Sequence, residues 1–233
     1  MPLITSRLAN FMQAMILAAG RGERMMPLTK NTPKPLLLAA GKSLIERLIE
    51  RLVSAKITDI VINHAYLGQQ IEDTLGDGSQ FGARIRYSPE GNQGLETAGG
   101  IIHALPLLGE APFLVVNADI ATDFPFHTLH EKPIDLAHLV LVPNPSHHPQ
   151  GDFHLNTNHT LSSSDINCFT FSGIGLYSPE LFRKAPANST KLAPILRQAM
   201  LTNRVTGEYF GGFWMDIGTP ARLETFEKQL ITV

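Results

Sequence analysis

Residues 14–38 read AMILAAGRGERMMPLTKNTPKPLLL and bring four cations, Arg21, Arg24, Lys30 and Lys34, to a glycine-bearing loop with a single acid, Glu23. Glycine at positions 20 and 22 removes the Cβ that holds a main chain away from an anion, so backbone N–H groups and cationic side chains can converge on one ligand. The chemistry on offer is the binding and neutralisation of a phosphate chain. The apolar run 14–19 ahead of the loop suits a parallel strand covered by helices on both faces.

Two familiar phosphate loops fail on spacing. A dinucleotide fingerprint needs a third glycine and the start of a helix where Met25 and the Pro27-Leu28-Thr29 step stand. Gly41-Lys42-Ser43 resembles the end of a Walker loop but lacks its earlier glycine. Further along, the apolar run 113–117 leads into Asp119. Ligands of open α/β sheets gather beyond the carboxyl ends of strands, so Asp119 lies where chemistry is expected.

The elements that must position these groups alternate. Ser43 and Glu46 form a capping box ahead of a helix whose apolar face is Leu44, Ile45, Leu48, Ile49, Leu52 and Val53. Strands are expected at 59–63, 83–87, 113–119, 137–142, 152–155, 169–177, 205–210 and 213–217, helices at 67–75 and after Gly100, and a loop at 88–94. Ser178-Pro179 and Thr219-Pro220 each place a capping residue before a proline suited to a first helical turn. The pattern is α/β throughout, and 233 residues without a linker or repeat suggest one domain, 13–233, preceded by a loose extension, 1–12.

Nineteen basic against twenty-one acidic residues give a net charge of −2, which argues against a general nucleic-acid or membrane-surface binder. Cys168 is the only cysteine, so no internal disulfide can form and a reducing, cytoplasmic setting is expected; its strand context favours a core position. His147-His148 is the most tempting zinc pair among nine histidines, but adjacent residues diverge and no cluster has zinc spacing.

From residue 17 to residue 38 the chain resembles, without a gap, the signature of the sugar-nucleotide pyrophosphorylases: a strand, a glycine loop with Arg24, Pro27-Leu28-Thr29 and Pro33-Lys34-Pro35. The resemblance implies a single-domain Rossmann-like nucleotidyltransferase fold with a mostly parallel mixed central sheet flanked by helices. It implies Arg24 and Lys34 as catalytic groups holding a nucleoside triphosphate, with Ala19, Gly20, Gly22 and Glu23 around it. Asp119, and Asp216 within Trp214-Met215-Asp216-Ile217-Gly218-Thr219, match the family's metal pair, for which Mg2+ is the expected ion. Ala118 stands where relatives often carry glycine or serine.

Asn117 is expected near base and ribose, with the base read by residues 88–97. There Glu90 could accept from uracil N3–H and Thr97 could supply a hydroxyl, although guanine also offers donors to a carboxylate. A narrower resemblance favours uracil. Residues 62–72, Arg86-Tyr87-Ser88-Pro89-Glu90, the stretch 147–153, Phe171-Ser172-Gly173 and Lys191-Leu192-Ala193-Pro194 are similar to the uridylyltransferases that use N-acetylmuramate 1-phosphate in peptidoglycan recycling. That likeness spans 13 to about 230 and implies UTP and that sugar phosphate as substrates.

The sugar is expected at Gly151, Asp152, Gly173 and Lys191, where the lysine either meets the muramyl carboxylate or is a plain surface residue. Glu131-Lys132-Pro133 imitates a family sugar motif but falls too early in the chain. Two rivals are a mannose-1-phosphate guanylyltransferase and a catalytically silent sugar-nucleotide sensor.

Overall fold

The computed structural model describes residues 12–164, 166–186 and 189–232, so most of the expected extension lies outside the described residues. Met12, counted with that extension, is instead buried, being 8% exposed within the core. The strands are β1 (Gln13–Leu17), β2 (Leu38–Ala39), β3 (Lys42–Ser43), β4 (Asp59–His64), β5 (Arg84–Pro89), β6 (Phe113–Asn117) and β7 (Ile120–Thr122). They continue with β8 (Ala137–Val142), β9 (Phe153–Leu155), β10 (Leu161–Ser162), β11 (Cys168–Tyr177), β12 (Val205–Tyr209) and β13 (Trp214–Asp216). The helices are α1 (Leu44–Ser54), α2 (Gly68–Leu75), α3 (Glu96–Leu108), α4 (Pro179–Arg183), α5 (Leu192–Met200) and α6 (Pro220–Thr232).

Among the described residues, nine strands form one mixed sheet along β10-β9-β11-β6-β1-β4-β5, with β8 beside β11 and β12 beside β8. The β6-β1-β4-β5 half is parallel, while β11 runs against β6 and turns the sheet mixed. Alternation along β1 divides the core. Ala14 and Ile16 face the cluster that includes Ile45, Ile49 and Leu52 of α1, whereas Met15 faces the cluster that includes Ile101 of α3 and Leu196 of α5.

A third cluster has direct consequences for the cationic loop. Leu223 and Phe226 of α6 belong with Met25 and Leu37, so the C-terminal helix packs against the segment that carries Arg24 and Lys34. Short 3-10 turns at Glu23–Met25, Leu28–Lys30 and Lys34–Leu36 replace the featureless loop a glycine- and proline-rich stretch suggests. The capping box forms as expected: Ser43 N donates to Glu46 Oε2 at 2.9 Å and Glu46 N to Ser43 Oγ at 3.3 Å.

Three departures from the sequence pattern bear on the site. Strand β5 runs on through Ser88 and Pro89, which stand opposite Asn63 and His64, so the loop begins only at Glu90. Helix α3 starts at Glu96 and takes Thr97 into its first turn; the carbonyl of Thr190 accepts from Ala98 N at 2.8 Å and from Gly99 N at 3.1 Å, serving as the cap that the sequence lacks. Helix α5, not foreseen, has Pro194 in its first turn, where a missing N–H costs little. Cys168 is half-buried at the start of β11, outside the core, where the strand pairs with β9 near the sheet margin.

Candidate active site

Strands β1 and β6 end side by side, pairing Leu17 with Asn117, and the main-chain N–H of Ala118 donates to Leu17 O at 3.0 Å. Beyond these ends lie two adjoining clefts that share Leu17 and Asn117. The first, about 610 Å³, is bounded by the cationic loop and carries Gly20, Arg21, Gly22, Glu23, Arg24, Lys34 and Asp119. The second, about 310 Å³, carries Thr97, Asp152, Gly173 and Lys191. A larger groove of about 1310 Å³ between α1, β7 and α6 holds none of the expected groups.

The cationic loop is tied at several points. Gly22 adopts φ +68°, and a Cβ there would come within 2.9 Å of Thr29 Cγ2 and 3.1 Å of Lys34 Cβ, so this position requires glycine on two counts. Thr29 Oγ1 donates to Gly22 O at 2.8 Å, Tyr66 Oη to Lys30 O at 2.8 Å and Gln70 Nε2 to Asn31 O at 3.1 Å. The Arg21 guanidinium rests over the Tyr66 ring, 5.0 Å from its centre, while the side chain borders the first cleft.

The two acids meet through a short antiparallel pair. Ile120 of β7 stands opposite Asp216 of β13, and Ile217 N donates to Asp119 O at 2.7 Å, which sets Asp119 and Asp216 at neighbouring positions. Each carries cationic company. Lys34 Nζ pairs with Asp119 Oδ2; Arg222 Nη2 lies 2.9 Å from Asp216 Oδ2, and His147 Nε2 lies 3.1 Å from Asp216 Oδ1. Arg24 and Arg222 both close over Gly218, where a Cβ would come within 3.3 Å of Arg24 Nη2.

Not every expected group lines a cleft. Glu90 Oε1 accepts from Asn63 Nδ2 at 2.6 Å and Oε2 from Leu95 N at 2.7 Å, so its carboxylate fastens the loop 90–95 to β4. Asn63 also accepts from Ala18 N at 2.9 Å, linking that loop to the glycine segment. Ala19 presents its carbonyl to Gly94, 3.4 Å from the point a Cβ there would occupy, and is not among the residues lining either cleft. Gly151 has φ +68° and sits against Cys168 O and Asn144, a turn that places Asp152. Asp152 accepts from Phe171 N at 2.8 Å and lies 3.2 Å from His148 Nε2. Lys132 of the decoy motif pairs with Glu208 at 3.1 Å, outside both clefts.

Sequence reasoning missed Arg222, His147 and Asn63. Arg222 had a local signal, in the first turn of the helix opened by Thr219-Pro220 and a short way along the chain from Asp216. The other two lie in the stretches 62–72 and 147–153 that carry the narrower resemblance, but no local pattern singled out their contacts, because their partners are distant in sequence.

A strand-ending acid pair, a tied cationic loop and a second cleft beside it are the parts a nucleotidyl transfer site requires, and the model of the nucleotidyl transferase family matches residues 13–153. The chain belongs to that family, as a sugar-1-phosphate nucleotidyltransferase. Over 221 residues it is 55% identical to the N-acetylmuramate alpha-1-phosphate uridylyltransferase of Neisseria meningitidis serogroup B, covering 91% of this chain and 96% of that one. Its identity to the protein of the same name from Caulobacter vibrioides is 34% over 232 residues, 93% and 96% of the two chains.

The fold is shared more widely. A Bacillus anthracis protein assigned as a glucose-1-phosphate thymidylyltransferase superposes with TM-score 0.82 at 22% identity over 95% of this chain and 96% of that one. HddC from Yersinia pseudotuberculosis gives 0.78 at 20% identity over 94% and 99%. Among the described residues, no helix is long and apolar enough to cross a membrane.

Proposed function

We propose that this protein joins UTP to N-acetyl-α-muramic acid 1-phosphate, giving UDP-N-acetylmuramic acid and pyrophosphate, in cytoplasmic peptidoglycan recycling by one nucleotidyltransferase domain, 13–233. The observation that carries a transfer reaction is the junction of the two clefts at Leu17 and Asn117, with Lys34 and Asp119 beside it. The choice of substrates is supported by the 55% identity to the Neisseria relative.

In this reading an oxygen of the sugar phosphate attacks the α-phosphorus of UTP, the α–β phosphoanhydride bond breaks, and pyrophosphate leaves on the opposite side. The nucleophile is already anionic, so the protein's work is placement and charge neutralisation. Arg24 and Lys34 hold the triphosphate against the N–H groups of the glycine loop. Lys34, at the junction, also meets charge that grows on the α-phosphate. Thr97 and Asn117 face the sugar and ribose, and Glu90 keeps the base-side loop in place by its bonds to Asn63 and Leu95.

Asp119 and Asp216 suit Mg2+. They are neighbouring oxygen donors, 29% and 23% exposed, and although His147 touches Asp216, no group of three or more His, Cys, Asp and Glu side chains among the described residues is placed to hold a metal ion. One or two carboxylates plus phosphate oxygens and water form the shell Mg2+ prefers. When bound, the ion would neutralise triphosphate charge and favour departure of pyrophosphate. Arg222 and His147 orient the Asp216 carboxylate.

The test is pyrophosphate release with Mg2+ across UTP, GTP, CTP and dTTP, each with N-acetylmuramic, N-acetylglucosamine and mannose 1-phosphates. Turnover confined to UTP with the muramyl sugar is expected. Preference for GTP and mannose 1-phosphate would move the protein toward the guanyltransferases, to one of which, from Hypocrea jecorina, it is 30% identical. Absence of turnover with every pair would favour a silent sensor.

A further inference from the structure

The second cleft has an unusual closed end. Phe171, Gly173, Gly175 and Tyr177 face one side of β11, and the two glycines, having no side chains, leave room over the strand for Asn117 at Gly173 and for the Tyr177 ring at Gly175. Tyr177 leans back over Gly175, where a Cβ would lie 2.5 Å from its hydroxyl, and its ring is held between Phe113 and Phe182 at centroid distances of 6.4 and 5.6 Å. Tyr177 is 0% exposed, lines the cleft, and its hydroxyl has no hydrogen-bond partner.

A buried hydroxyl without a partner costs stability, and phenylalanine would fill the same space without that cost. The unpaired hydroxyl is therefore a vacant donor buried in the wall of a binding cleft. Around it the walls are Val115, Phe153, Leu192 and Leu196, so the end of the cleft suits a small group with an apolar part and one neutral acceptor. A carboxylate there would be stripped of water with only one neutral donor in return. Lys191, which borders the same cleft but is exposed, offers the charged partner at its mouth. Burial also pushes the Tyr177 phenol far above its ordinary value, so it remains a proton donor at every working pH.

We infer that the Tyr177 hydroxyl donates to the carbonyl of an acylamino substituent on the sugar 1-phosphate, so that the closed end of this cleft selects N-acylated sugars while a carboxylate substituent stays at the mouth. The inference rests on reading this cleft as the sugar side.

Tyr177→Phe tests it. Binding by calorimetry and kcat/KM with UTP are measured for N-acetylmuramic and muramic acid 1-phosphates, and for N-acetylglucosamine and glucosamine 1-phosphates. Wild type should prefer the acetylated member of whichever pair it accepts. The variant should lose that preference by roughly ten- to a hundredfold, because the acetyl carbonyl is left buried without a donor. The loss should appear in the sugar Kd and KM, with the KM for UTP and the melting temperature held.

Equal preference in wild type and variant, no preference in wild type, or no binding of either pair would overturn the inference. Acceptance of N-acetylglucosamine 1-phosphate alone would end the muramyl reading, yet loss of its acetyl preference in Tyr177→Phe would still support the role of Tyr177. Gly175→Ala gives an independent readout, since its new methyl must displace the Tyr177 hydroxyl and should weaken the same preference.

Discussion

Lys34 and Asp119, 85 positions apart in sequence, form an ion pair at the first cleft, with their side chains 11% and 29% exposed. A cation that belongs with phosphate oxygens and an acid that belongs with a metal thus hold each other in the protein alone. Substrate and metal would draw them apart to separate partners. The pair keeps both groups near their working positions and spares each a partly buried, unpaired charge.

Asp119→Asn should lower the Mg2+-dependent rate of pyrophosphate release by roughly a hundredfold or more, since a neutral amide is a poor replacement for an anionic ligand. An unchanged rate would remove Asp119 from the metal site. Lys34→Ala should lower kcat/KM for UTP to a similar degree with the melting temperature nearly held; loss of folding instead would mark Lys34 as structural.

Gly22→Ala places a Cβ at φ +68° and against Thr29 and Lys34. The backbone strain alone costs about 1–2 kcal/mol, and relief by moving the loop would misplace Arg24 and Lys34. A fall of several degrees in melting temperature and a higher KM for UTP are expected. A variant with wild-type values would show that this loop is not held in the conformation described.

Asn63→Leu leaves the Ala18 N–H without its 2.9 Å acceptor and Glu90 Oε1 without its 2.6 Å donor, at a site only 2% exposed. Loss of about 2 kcal/mol is expected from the stranded main-chain donor, measured as a lower urea midpoint. The KM for UTP should rise as well, because the same side chain ties the loop 90–95 to the glycine segment. Stability lost without any change in KM would confine Asn63 to a packing role.

On the far edge of the sheet, contact with His138, followed by Lys132, holds the Glu208 carboxyl below its ordinary value despite partial burial. A depressed acid adds stability above its unfolded value, near pH 4.5, and loses it as pH falls through the lower folded value. Urea midpoints should therefore decline below about pH 4.5, and Glu208→Gln should flatten that decline. The same slope in wild type and variant would exclude this contribution.

Several parts of this arrangement could be read from local pattern. The run 14–19, the capping box at Ser43 and Glu46 and the prolines after Ser178 and Thr219 each depend on neighbours within a few positions, and their elements form as expected. Glu90 shows the limit of such reading. A carboxylate in a base-side loop suggested a contact with uracil, yet its oxygens accept from Asn63 and Leu95, and Asn63 lies on a different strand.

The amino-acid order settles the chemistry available: a glycine loop crowded with cations, acids at strand ends, alternation that gives each strand two faces. Those features follow from steric and solvation rules acting over a few residues. Which groups meet depends on register between distant segments, and the pairing of Ile120 with Asp216, the reach of His147 to Asp216 and the packing of the Tyr177 ring against Phe113 exist only after the sheet has formed. Side-chain period and hydrogen bonding specify each strand locally, but the choice of partner strand is made by packing of the whole core.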